Sequence, residues 1–257
     1  MSDYVVHFTK PVPVDDISRP RPKDPDKPRW FETAAQLLYE QRVADRTGYY
    51  PWIDILGSGL LQPGSKPLGA ARFVPEVEDL NQVVCFSEIP LDMLDRVIER
   101  RSLYGVGFRK DVIVAKGGSP LWYLDKDGMQ GQLIQAQIRE AQRSGVDRDD
   151  PLWKLTPFID NPGNYKGVPY RFEWEREWRV VGDVRFEPDE VAFLFLPEED
   201  HDRARQFFAD AKHEHAGPSY LGTYIDPRWD MQRIQEALAS VPPVPDPSPG
   251  SVPWWAE

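Results

Sequence analysis

Three short segments place chemically capable side chains inside runs that otherwise read as β-strand. The first is His7–Phe8–Thr9. Side chains alternate along a strand, so His7 and Thr9 share one face and Val6 and Phe8 the other. The second is Phe86–Ser87–Glu88, where polar groups end an apolar run. The third is Glu173–Trp174–Glu175–Arg176–Glu177–Trp178–Arg179, where Glu173, Glu175, Glu177 and Arg179 fall on one face of a strand. Like charges two residues apart repel unless a cation such as Arg179 relieves them. A carboxylate beside a sugar can stabilise the positive charge that develops when a glycosidic bond breaks. A neutral imidazole can donate a hydrogen bond to a sugar oxygen. Each segment also has a plainer reading: a hydrogen-bonded strand histidine, a Ser87–Glu88 cap on the following helix, and the wet face of a half-buried strand.

Other chemistries find less support. No G-x-x-x-x-G-K-[ST] loop occurs, and Gly105–Val106–Gly107 lacks the third glycine of a dinucleotide fingerprint. Those two glycines fit a strand packed against neighbouring backbone, or close approach to a ligand. There is no G-x-S-x-G elbow. Cys85 is the single cysteine, so no intrachain disulfide and no cysteine-based zinc site is expected. The four histidines show no H-E-x-x-H spacing, and no metal site is expected. A nuclease using Asp and Glu metal ligands has carboxylates in plenty but no motif that organises them. The net charge of −11 disfavours broad phosphate binding.

The elements that must position these residues follow from periodicity. Strands are predicted over residues 4–9, 83–87, 104–108, 112–115, 121–124, 173–184, 190–196 and 219–225. Helices are predicted over 30–46, from Pro51 to about Gly57, and over 90–101, 129–143, 198–212 and 228–240. Residues 147–167 read as loop. Strands cluster after early helices without regular βαβ alternation, which predicts an α+β fold. Of the 26 prolines, 14 are spread through the chain. Six lie in 11–28 and six in 241–257, segments expected as an extended loop and a Pro-rich C-terminal tail. One domain over 1–240 is expected, with the tail at 241–257 and its Trp254–Trp255 pair a possible docking element. The start MSDYVVHFTK is unlike a secretory signal, and no apolar run approaches the ~20 residues of a membrane helix. A cytoplasmic protein without membrane contact is the expectation.

His7–Phe8–Thr9, Ile55–Leu56–Gly57–Ser58–Gly59–Leu60, Cys85–Phe86–Ser87–Glu88–Ile89–Pro90, Tyr104–Gly105–Val106–Gly107–Phe108 and Glu175–Arg176–Glu177–Trp178–Arg179 together resemble the AbiGi-type abortive-infection family of bacterial phage-resistance proteins. That resemblance implies phage defence or a toxin–antitoxin role. The order His, then Ser, then Glu-x-Glu is also similar to the ADP-ribosyltransferase signature, including DarT-like toxins. The first motif is of the His type and the third is like the Arg-Ser-Glu type, and Glu88–Ile89 stands where Thr-Ser would complete a Ser-Thr-Ser motif. This second resemblance implies a split central β-sheet flanked by helices and NAD as co-substrate. It implies Glu177 as the catalytic carboxylate and Glu175 as an acidic residue placing the acceptor. It further implies that His7, with Thr9 beside it, and Ser87 bind the cofactor. Residue type and position add Tyr104, Trp122 or Tyr123 as a stacking face, and Arg72, Arg109 and Lys110 for the pyrophosphate. The acceptor would be nucleic acid, protein or water. The competing reading is an inactive antitoxin or phage sensor, whose acidic surface suits a basic partner.

Overall fold

The computed structural model describes residues 3–9, 49–88, 93–99 and 101–242. The helix expected over 30–46, the Pro-rich 11–28 segment and most of the tail lie outside these residues. Strand β1 spans Tyr4–Phe8, followed by helix α1 (Tyr49–Ser58), β2 (Leu60–Leu61), β3 (Val83–Ser87), α2 (Leu94–Ile98) and β4 (Gly105–Arg109). Next come α3 (Lys110–Ala115), β5 (Ser119–Pro120), β6 (Trp122–Tyr123), α4 (Met129–Ser144) and α5 (Pro151–Leu155). The chain continues through β7 (Ile159–Asp160), β8 (Gly163–Tyr165), β9 (Val168–Tyr170), β10 (Glu177–Val181), β11 (Val184–Arg185) and β12 (Val191–Phe195). It closes with α6 (His201–His213), β13 (Thr223–Ile225) and α7 (Met231–Ala239). The α+β expectation holds.

Seven strands form one sheet in the order β13-β12-β4-β1-β3-β10-β5. All neighbours are antiparallel except β12 and β13. β1 pairs with β4 over five residues, and β10 pairs with β3 over five. Between these halves, β1 meets β3 at Val6↔Ser87 alone. The two halves part beyond that pair, and there the His7 ring nitrogen Nδ1 bonds the Cys85 carbonyl at 2.9 Å.

Alternation buries both faces. Val5, Val84, Phe86, Val106, Phe108, Val180 and Leu194 pack with Trp52 and Leu56 of α1 and Phe208 of α6. Val6, Phe8, Phe193, Phe195 and Ile225 pack against Leu94 and Val97 of α2 and Ile234 of α7. Val241, where the tail was expected to begin, is buried in this second cluster. A third cluster, including Ala71, Val77, Ile138, Trp153 and Ile159, lies beneath α4 and α5. Gly107 is a packing glycine within β4. A Cβ there would overlap the Phe193 ring opposite.

Three predicted elements differ. Residues 112–115 belong to helix α3 rather than a strand. The β-branched run favours extension locally, but Asp111 Oδ1 accepts from the Val112 amide and Ile113 is drawn into the core, so tertiary packing overrides propensity. The 147–167 stretch holds α5 and two strands. Asp150 caps α5 by accepting from the Leu152 amide, and Pro151 takes the first turn. The long strand expected over 173–184 begins only at Glu177. Glu173–Glu175 form a 3₁₀ turn, and Arg176 adopts the left-handed conformation at φ 44°. That kink removes Glu173 and Glu175 from the strand face shared by Glu177 and Arg179.

Candidate functional site

Glu177 opens β10, directly opposite Ser87 of β3. Alternation puts Cys85, Ser87, Glu177 and Arg179 on one face of this half-sheet. Arg179 is 1 % exposed and needs acceptors. Its Nε donates to Glu177 Oε1 at 2.6 Å, and Nη1 donates to the Pro157 carbonyl at 2.7 Å. Burial alone would lower the Arg179 pKa, but the charge and hydrogen bond of Glu177 outweigh it and the pKa is raised. Burial pushes the Cys85 thiol up, and the Glu177 carboxylate adds to the effect, so Cys85 stays a protonated thiol at neutral pH.

On the other side of Glu177, β5 leaves the sheet. The Leu121 amide donates to the Glu177 carbonyl at 2.8 Å. The Glu177 amide then finds the Tyr123 hydroxyl oxygen at 3.0 Å instead of a strand carbonyl. Burial raises the Tyr123 pKa, so the phenol remains neutral. Tyr123 sits on β6, which runs parallel to β7. Next to it, Asp160 accepts from the Tyr170 hydroxyl at 2.7 Å and pairs with Arg72 at 3.9 Å.

Ser87 and Glu177 are therefore brought together, and the other expected residues are dispersed around them. His7 lies one strand away, but its register sets it on the face of Phe86, whose ring it meets edge-on at 5.9 Å. A carbonyl only accepts, so the bond to Cys85 puts the proton on Nδ1, and a neutral His7 keeps Nε2 as an acceptor rather than a donor. Thr9 is buried, its Oγ1 2.6 Å from Ser102 Oγ. Tyr104 is a core residue, tilted against Trp52 at 5.5 Å. Arg109 ends β4, three strand spacings from β10, or roughly 14 Å. It pairs with Asp111. Glu175 is buried and pairs with Arg101 at 3.5 Å. Trp122 is exposed, and Arg72 is engaged by Asp160.

Lys110 bonds Glu88 at 2.9 Å, and Glu88 also accepts from the Trp178 indole at 3.1 Å. Glu88 thus pins α3 and β10 together, and the described start of α2 at Met93 has no side-chain cap. Among the described residues, no group of three His, Cys, Asp or Glu is placed to hold a metal ion. The Asp160–Tyr170–Arg72 group was not anticipated. Its parts lie on three separate segments, with no local spacing to reveal them.

A family profile described as abortive phage resistance protein AbiGi, antitoxin, matches residues 77–208, just over half of the 257. The chain belongs to the AbiGi family. The AbiGi match takes in β3, β4, β10 and β12, and with them Ser87, Glu175, Glu177 and Arg179. His7 and Thr9 precede it. No curated protein and no solved structure matches the chain. Among the described residues, no helix is long and apolar enough to cross a membrane.

Proposed function

We propose that this AbiGi-family chain serves phage defence as an NAD-using ADP-ribosyltransferase or NAD glycohydrolase centred on Glu177. The observation that carries the reading is the direct register of Ser87 on β3 with Glu177 on β10; β1 lies beside β3 in the order of the motifs, with His7 turned to the other face of the sheet. Support also comes from the single-pair junction at Val6↔Ser87, which fits a sheet split between its His and Ser strands.

The residues fit a ribose-bearing ligand in part. Ser87 is half-buried, and its hydroxyl has no partner among the described residues. Arg179 takes one oxygen of the Glu177 carboxylate and fixes its orientation. A carboxylate so held can accept from a ribose hydroxyl and stabilise positive charge growing on the sugar as nicotinamide leaves. Macromolecule or water would be the acceptor. Tyr104 and Arg109, both engaged elsewhere, would need to move to reach the same ligand.

The experiment is nicotinamide release from NAD in cell extract, wild type against Glu177→Gln. A positioned carboxylate is typically worth about 10²–10⁴-fold. Release by wild type, with a loss of that size in the variant, is the expected result. A loss under about threefold refutes the role of Glu177.

A second reading has its own observation. Glu177 is committed to a buried arginine, as expected of a structural pair, and the AbiGi description names an antitoxin. In that case the chain binds a cognate toxin and turns over no NAD. Co-purification of a defined partner, with no nicotinamide release from either form, would favour it.

A further inference from the structure

The Tyr123 hydroxyl has two hydrogen-bonding capacities, and the fold uses one. Its oxygen accepts from the Glu177 amide. An acceptor cannot pass its own proton back to an N–H, so that proton needs a different partner. None of the described residues supplies one. Tyr123 is partly buried. The donor also stands at a particular place. Glu177 has Ser87 across the strand pair on its β3 side and Tyr123 on its β5 side. Glu177 thus has a hydroxyl-bearing neighbour on each side, one paired across the strands and one bonded to its backbone amide, from segments 36 residues apart, and neither hydroxyl is satisfied as a donor among the described residues.

We propose that Tyr123 is a substrate-binding residue that donates its hydroxyl proton to a ribose hydroxyl of the ligand held at Glu177. The inference rests on the NAD reading of the site and names the sugar as the part of the substrate that is recognised. It also replaces the stacking role expected for this side chain with a polar one. Carboxylate, serine hydroxyl and phenol together suit a vicinal diol, which both donates and accepts. The raised pKa of the phenol agrees with this, because it keeps the donor protonated through neutral pH.

The test uses the full chain and pairs a protein change with substrate changes. Nicotinamide release is measured for wild type and Tyr123→Phe on NAD, and on its analogues lacking the 2′- or the 3′-hydroxyl of the nicotinamide ribose. The expected result is a loss of about 10–100-fold in kcat/KM for Tyr123→Phe on NAD. The loss should shrink to under about threefold on one deoxy analogue, because the partner is already gone. Equal losses on all three substrates would make Tyr123 a prop for Glu177 only and overturn the proposal.

The phenylalanine change also removes the acceptor of the Glu177 amide. A second measurement therefore replaces Tyr123 with a ring-fluorinated tyrosine of lower pKa, which keeps the shape and that acceptor. Activity should then fall at lower pH than in wild type, as the donor ionises. An unshifted pH profile overturns the proposal. Wild type that neither turns over nor binds NAD would refute the underlying reading and this inference with it. Wild type that is active while both Tyr123 tests fail would refute this inference alone.

Discussion

Replacing Arg179 by methionine should destabilise the protein severely, and the size follows from its surroundings. The Arg179 side chain is 2 % exposed and that of Glu177 16 % exposed. The change keeps the aliphatic volume but removes two charge-assisted hydrogen bonds, to Glu177 and to the Pro157 carbonyl. It leaves the Glu177 carboxylate and nearby Asp160 without their shared cation. Breaking a buried ion pair from one side costs about 3–5 kcal/mol. With a urea slope of about 3 kcal/mol/M, the midpoint should fall by about 1–1.7 M. Intrinsic fluorescence from the 9 tryptophans provides the assay. Adding Glu177→Gln to Arg179→Met should recover about 1–3 kcal/mol, because the orphaned charge is then absent. A loss under about 1 kcal/mol for Arg179→Met, or strict additivity in the double variant, would show that solvent already compensates Glu177. The argument for a fixed carboxylate would then collapse.

Two further outcomes test the frame around the site. Burial holds the His201 pKa below its ordinary 6.5, only partly offset by the bond from Nε2 to the Leu196 carbonyl. The unfolded chain therefore takes up that proton first, and the His201 contribution is complete above pH 6.5 and declines as pH falls below it. Urea midpoints at pH 7.5 and 5 should differ more in wild type than in His201→Gln; equal differences would remove His201 as the cause. Asp226, held below 3.8 against the pull of burial by Arg228, loses its contribution only below that value and does not confuse the comparison. Gly107→Ala should cost about 1–3 kcal/mol through overlap with the Phe193 ring. Calorimetry would show it as a drop of several degrees in Tm, and an unchanged Tm would mean that the ring yields freely.

Period and punctuation in the sequence were enough to locate β1, β3, β4 and β12 and helices α1, α4 and α6 to within a few residues. Each carries its own signal, such as alternation over Val83–Ser87 or the glycine that stops α4 at Gly145 in the left-handed conformation. The chemically capable side chains Ser87 and Glu177 were legible for the same reason, since a polar group in an apolar strand stands out locally. What the sequence could not determine was which strands would be neighbours and in what register. That β3 lies between β1 and β10, joined to one by a single pair and to the other along its length, is decided by packing among segments up to 170 residues apart. The kink at Arg176 is likewise invisible in a run that alternates perfectly, because the left-handed residue is stabilised from elsewhere, by the Glu88 amide bonded to its carbonyl. It separates Glu175 from Glu177. The Glu177–Arg179 pair is local to one strand and was legible in the alternation, whereas long-range contacts give Glu177 its tyrosine and its serine, and so turn one carboxylate among 42 acidic residues into a site.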